Sequence, residues 1–394
     1  MAQTTPASAQ FPSILEPVSS NEYSEDGSAP GIHRDRISLL AWGPGDLPAA
    51  NSETTMLQLN SNELNEIRTA LDAFKESGLE VHALSPDVFP LPCLEARLRE
   101  FSKGLHQGYG FFTIRGLKPN NFSSKENIII HVGITSYIGD SRALQQNYYS
   151  AQAEALLHVC DVKQHEKNIQ EDVFLAPGNE SIAVGFHSDN GDNVSLYCWS
   201  TAEQGGDLYL SSAWKVYNDL ALKSPEVLKI FAQPWQWQDS RTGDEKLRSH
   251  MAPIIYFANN KLVINYQKRP LRGSKQEPRD RRLDPLSRGQ EAALAAFDRV
   301  AAENAISLEQ EPGDMHFFNN LALLHSRSAF CDGKDQAVQR HLTRLIFRDS
   351  ELGWEIPRDL LPNWRGPSTA SDDVMTTPAT MVIRPQKLYA HLIS

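Results

Sequence analysis

His187 and Asp189 stand two residues apart in AVGFHSDNGDNVSLYCW, residues 183–199. If the apolar run ahead of them is a strand, side-chain alternation points the imidazole and the carboxylate to one face. A nitrogen and an oxygen donor on one face are two ligands for a divalent metal. The stretch also reads as plain turn chemistry, because Asn190-Gly191 favours a tight hairpin bend and Asp-Asn-Gly-Asp forms turns unaided. A calcium loop fits worse, since no glycine and closing glutamate fall at the required offsets. Partners elsewhere in the chain must decide between bend and metal.

Downstream, EPGDMHFFNNLALLHSR offers two further histidines, His316 and His325. Beyond them QRHLTRLIFRD carries Arg340 and Arg344 four residues apart, which puts both on one strand face with Leu342 and Ile346. Two guanidiniums among aliphatics suit either a solvated edge strand or a cavity that grips two anionic groups, each fork holding a carboxylate bidentately. Two histidines and one carboxylate would leave three positions open on a metal, the arrangement of the non-haem Fe(II) facial triad. A 2-oxo acid fills two of those positions, O2 the third, and the far carboxylate of the acid needs a fixed cation. Arg340 and Arg344 are the candidates, and at this point either histidine could complete the triad.

The elements that must hold these residues come from a chain of 394 residues, 40% apolar and 22% charged, with ample material for a large core. A net charge of −11 argues against a nucleic-acid partner, which binds basic surfaces. Cys93, Cys160, Cys198 and Cys331 show no C-x-x-C spacing, which disfavours a zinc knuckle or a disulfide framework. There is no secretory signal pattern, no apolar run of the roughly 18 residues a membrane span needs, and no peroxisomal ending in HLIS. The expectation is an intracellular, cytoplasmic protein with a small-molecule anionic substrate and neither a membrane nor a nucleic-acid partner. Oligomeric state is not legible.

Residues 1–35 are rich in Ser, Pro, Ala and Gln and read as a mobile tail. Residues 36–394 read as one domain: a helical part over 36–180, a β core over 181–350 and a C-terminal extension over 351–394. In the first part NELNEIRTALDAFKESG and LEARLREFSKGLHQG are amphipathic helices, YGFFTIRGL is a strand, and KENIIIHVGITSYIG fits helix or strand equally. From residue 181 short β-type runs (SIAVGF, NVSLYCW, DLYLSS, PIIYF, KLVINY, DMHFF, RHLTRLIF) alternate with turn residues. Helical AWKVYNDLALKSPEVLKIFA and SRGQEAALAAFDRVAAENA interrupt them. The predicted class is α+β with a mainly β core, a sandwich or jelly roll flanked by helices. The tryptophans of QPWQWQDS are expected to pack a helix–strand junction.

Three stretches, FHSDNGDNVSLYCWSTAEQGGDLYLSSAWKVYNDL, GDMHFFNNLALLHSR and RHLTRLIFRD, resemble the TauD/TfdA-like, clavaminate-synthase-like Fe(II)/2-oxoglutarate dioxygenases in their fungal branch. The likeness runs from GYGFFTIRGL to RDSELGW, about two thirds of the chain, in the family's order. It implies a double-stranded β-helix and an iron held by His187, Asp189 and His325, with His316 a neighbouring core histidine. It implies Arg340 on the far carboxylate of 2-oxoglutarate, O2 as the second cosubstrate, and Arg344 on an acidic group of the substrate. Leu208 stands where relatives carry Thr or Ser, which puts the second contact to 2-oxoglutarate in question; Ser211 and Ser212 are the nearby substitutes. His158 is expected to be structural. The implied activity is oxidation of an unactivated C–H bond in a small carboxylate, such as an amino acid, in specialised metabolism. The branch includes an enzyme that closes an aziridine ring on L-valine. Taurine or sulfonate oxidation, and a non-catalytic jelly roll that binds a small acid, are the rival expectations.

Overall fold

Along the strand Asn193–Ser200, Val194, Leu196 and Cys198 belong to one buried apolar cluster and Tyr197 and Trp199 to another. Side chains alternate in a strand, so its sheet has a packed layer on each face. The computed structural model, which describes residues 38–48, 52–147, 152–165, 175–238, 249–274, 278–335 and 338–360, contains both layers. The expected tail over 1–35 and the end of the expected extension, from 361, lie outside the described residues.

The large sheet runs Met56–Gln58, Phe111–Arg115, Met315–Asn319, Asn193–Ser200, His341–Arg348, Ser141–Arg142, and Leu156–Val159 also pairs with His341–Arg348. Only its first pair is parallel. The small sheet is antiparallel in the order Ala305–Leu308, Leu208–Ser212, Leu323–Arg327, Val184–His187. Val194, Leu342, Ile346 and Phe318 of the large sheet share one apolar cluster with Leu208, Leu210 and Leu323 of the small sheet. This two-sheet arrangement is the expected jelly roll. On the outer face of the large sheet, Phe112, Ile114, Met315, Phe317, Leu345 and Phe347 meet the helices Ser61–Ser77, Glu95–Gln107 and Ser124–Thr135.

Local sequence explains the departures from expectation. The ambiguous KENIIIHVGITSYIG is helical because Ser123 and Glu126 close a capping box, and every residue from Asn127 to Thr135 is buried. A helix enclosed on all sides has no polar stripe to betray its period. The expected single helix over 213–232 splits into Ala213–Lys223 and Pro225–Phe231, since the proline ring keeps Ser224 out of the helical region. Residues 36–180, read as a helical part with one strand, carry further strands, and four strands of this part (Met56–Gln58, Phe111–Arg115, Ser141–Arg142 and Leu156–Val159) belong to the large sheet. Asn190-Gly191 does not turn a hairpin. The strand before it belongs to the small sheet and the strand after it to the large one, so the bend carries the chain between layers. Trp235 and Trp237 are buried in the strand Trp235–Gln238, and Trp235 donates back to the Ile230 carbonyl of the preceding helix. No helix among the described residues is long and apolar enough to cross a membrane.

Candidate metal centre

His187 ends its strand, and His325 lies directly opposite it in the neighbouring strand, with ring centroids 4.0 Å apart. Asp189, two residues past the strand end, reaches between them: Oδ1 is 3.8 Å from Nε2 of His187 and Oδ2 is 3.7 Å from Nε2 of His325. One ligand atom from each of the three residues lies within 4.8 Å of the others, and they are the only such group of His, Cys, Asp or Glu among the described residues. His187 donates from Nδ1 to the Gly185 carbonyl at 2.9 Å. A carbonyl only accepts, so this bond fixes the tautomer that leaves the Nε2 lone pair free for a metal. The His325 ring packs 4.9 Å from Phe318.

Burial pushes the Asp189 carboxyl up, but Arg344 and the two histidines outweigh it and bring its pKa to about 2. Burial lowers His325 to about 3. The three side chains present two imidazole nitrogens and one carboxylate oxygen to a common point, the donor set of a 2-His-1-carboxylate site.

Asn320 holds the turn that presents Asp189. Its Oδ1 accepts from the Asp189 amide at 2.8 Å, and its Nδ2 donates to the carbonyls of Asp189 and Gly191 at 2.6 and 2.7 Å. Gln267 donates to Asn190 Oδ1 at 2.6 Å, and the Ser188 amide bonds the Tyr266 carbonyl. None of these partners was singled out by sequence. The only signal was a polar pair, Asn319-Asn320, ending an apolar strand five residues before His325.

Arg340, just ahead of its strand, is 3% exposed, and its Nε and Nη1 have no hydrogen-bond partner among the described residues. Its guanidinium lies over the Phe330 ring, and burial lowers its pKa to about 10. A buried cation with idle donors is costly unless an anion reaches it, so Arg340 fits the far carboxylate of a 2-oxo acid.

Arg344 is engaged differently. Its Nη1 donates to Asp189 Oδ2 and its Nε to Gln145 Oε1, both at 2.8 Å. Gln145 in turn donates to the Ala155 and Arg344 carbonyls. The expected substrate arginine is therefore also tied to a candidate ligand, leaving Nη2 for anything else.

His316, fully buried, bonds Thr113 through Nδ1 and is not brought to the cluster. His158 bonds His341 at 2.7 Å, also away from it. Leu208 is buried opposite Arg327. Ser211 points to the other face of that strand, and Ser212 caps the helix Ala213–Lys223, so neither stands in for a hydroxyl at Leu208.

The family model for taurine catabolism dioxygenase TauD, TfdA family matches residues 79–346. A fungal relative, "Taurine hydroxylase-like protein SAT17" of Stachybotrys chartarum, is 35% identical over 310 residues, 78% of this chain and 79% of that protein. Asparagine oxygenase, solved with Fe(II), 2S,3S-3-hydroxyasparagine and succinate, superposes with a TM-score of 0.57 at 14% identity, covering 76% of this chain and 98% of the other. The non-heme iron oxygenase OrfP, solved with Fe, succinate and (3S)-hydroxy-L-Arg, superposes with a TM-score of 0.53 at 12% identity over 75% and 94%. Those two likenesses are of fold. The family match takes in His187, Asp189, His325, Arg340 and Arg344 together, and the chain belongs to the TauD, TfdA family.

Proposed function

We propose that the protein is an Fe(II)- and 2-oxoglutarate-dependent oxygenase that oxidises an unactivated C–H bond of a small carboxylate, an amino acid in the first place. The observation that carries this reading is the convergence of two imidazole nitrogens and one carboxylate within 4.8 Å, beside a buried arginine with idle donors. Structural neighbours that hold iron with succinate and a hydroxylated amino acid support the class of substrate.

Bound by His187, Asp189 and His325, Fe(II) with its 2-oxo acid supplies the O2-driven oxidation. The chain's own residues do the rest. His187 and His325 offer Nε2 and Asp189 one oxygen, while Arg340 takes the far carboxylate of 2-oxoglutarate. Arg344, anchored by Gln145, keeps Asp189 ionised and turns its remaining nitrogen to the substrate's acid. Phe318, Leu208 and Leu210 line the buried side and exclude water, which strengthens each of these charged contacts.

The test is anaerobic titration of the protein with Fe(II) and 2-oxoglutarate. A weak visible charge-transfer band is expected, lost in His187→Ala; no band and no iron uptake would leave a non-catalytic acid-binding jelly roll. Succinate release across amino acids, small acids and taurine then ranks substrates, with L-valine included. A product heavier by one oxygen reports hydroxylation, and one lighter by two hydrogens reports ring closure or desaturation. The relative named as taurine hydroxylase-like favours a second reading, a sulfonate substrate, because the remaining Arg344 nitrogen donates to a sulfonate oxygen as readily as to a carboxylate. Taurine outperforming every amino acid would select it.

A further inference from the structure

Arg327 lies two residues beyond His325 on the same strand, so its side chain projects to the same face, towards the interior between the sheets. It is 7% exposed. Its guanidinium packs 4.8 Å from the centroid of Phe330, the ring that Arg340 also covers at 5.4 Å. Nη2 is spent on the carbonyls of Pro177, Glu180 and Ile182, which ties the segment ahead of His187 to the His325 strand. Nε is buried with no hydrogen-bond partner among the described residues, as are Nε and Nη1 of Arg340. The nearby Asp332 spends one oxygen on the Arg340 amide, and its other oxygen reaches neither side chain. Directly across the strand pair from Arg327 stands Leu208, which contributes no polar atom.

Two guanidiniums thus share one aromatic ring, with three idle donors between them. Desolvating two like charges together is costly, and an anion that met both would offset more of that cost than one that met Arg340 alone. We propose that Arg327 is a second guanidinium contact for the far carboxylate of the 2-oxo acid, acting with Arg340 in the place where Leu208 offers nothing. This rests on the function proposed above.

The experiment measures equilibrium binding of 2-oxoglutarate and of 2-oxopentanoate, which has the same carbon chain without the far carboxylate. Anaerobic Fe(II)-loaded protein is used, with circular dichroism as the control for folding. In Arg327→Met, affinity for 2-oxoglutarate should fall at least about tenfold, the worth of one charged hydrogen bond, while 2-oxopentanoate stays within about twofold. Equal losses for both acids would make Arg327 a scaffold residue acting through the three carbonyls, and no loss for either would remove it from the site; both overturn the proposal. If Arg327→Met does not fold, Leu208→Thr in the otherwise native chain decides. With the second contact already supplied, the added hydroxyl should change 2-oxoglutarate affinity by less than about threefold, and a larger gain overturns the proposal. A native protein that binds neither acid fails the proposed function itself, a result distinct from all of these.

Discussion

Gly191 follows Asp189 by two residues with φ 130°, and a Cβ added there would stand 2.2 Å from Cγ2 of Ile346. The layer change after Asp189 therefore needs a residue that has no Cβ and tolerates a left-handed backbone. Gly191→Ala is expected to destabilise the protein by about 3 kcal/mol, from backbone strain and overpacking together. Part of that cost belongs to the contact with Ile346. In a double-mutant cycle by urea denaturation, Ile346→Ala should therefore cost at least about 1 kcal/mol less in the Gly191→Ala chain than in the native one. Strict additivity would mean that the turn relieves the clash elsewhere. Residue type and spacing singled out His187, Asp189, Arg340 and Arg344 and left His316 and His325 open, and the family resemblance chose His325 as the third candidate. The sequence did not show Asn320, Gln145 or Arg327, whose roles depend on which distant carbonyl or side chain lies within hydrogen-bond reach.

At the scale of elements, the strand that ends at His187 was legible in SIAVGF. The strand Leu323–Arg327 that carries His325 was not among the β-type runs, because LLHSR has no β-branched residue to mark it. Turns were less legible. The dipeptide that looked like a hairpin, Asn190-Gly191, joins two sheets, whereas Asn259 and Asn260, both with positive φ, turn the real hairpin between Ile255–Ala258 and Lys261–Ile264. A turn residue reports the local backbone, and only pairing partners decide which strands it joins. The helix Ser124–Thr135 was illegible by period, and its start is fixed by charge and capping. Glu126 accepts from the Ser123 amide and hydroxyl and pairs with Lys75 of the helix Ser61–Ser77. The Lys75 ammonium foremost, then the Ser123 amide, lower the Glu126 pKa to about 2. Glu126→Gln keeps a capping side chain but loses the charge. Its cost should be about 0.5–1 kcal/mol at pH 7, modest because the pair is partly solvated. The folded carboxyl titrates below the unfolded one, so this contribution is complete above the unfolded value of 4.5 and is lost as pH falls towards 2. Denaturation curves of the two proteins should stay a constant distance apart from pH 8 to about 5.5 and converge below about 4.5. A gap that persists unchanged at lower pH would assign the effect to shape.

Across the whole molecule, histidines buried as neutral side chains tie the large sheet to a covering helix and tie its own strands to one another. His131 on the helix Ser124–Thr135 bonds Thr343 and Ser195 of two large-sheet strands, His316 bonds Thr113 on the adjoining strand, and His158 bonds His341. Burial lowers all three, His131 to about 3 and His158 and His316 to about 4. None sits among the candidate ligands, so their titration reads out the fold alone. In the unfolded chain they would protonate near the ordinary histidine value of 6.5, well before they do in the folded protein. The unfolded state therefore binds more protons as pH drops through that value, and stability must fall with it. Three extra protons correspond to a loss of about 4 kcal/mol per pH unit once pH is below about 5.5, which is enough to unfold a domain of ordinary stability within two or three units. Urea unfolding at pH 7, 6 and 5 should show this steepening, and His131→Gln, with side-chain amide groups to meet Thr343 and Ser195, should lower the slope by about 1.4 kcal/mol per pH unit. A stability that stays flat from pH 7 to 5 would require these side chains to be charged, or open to water, inside the folded core.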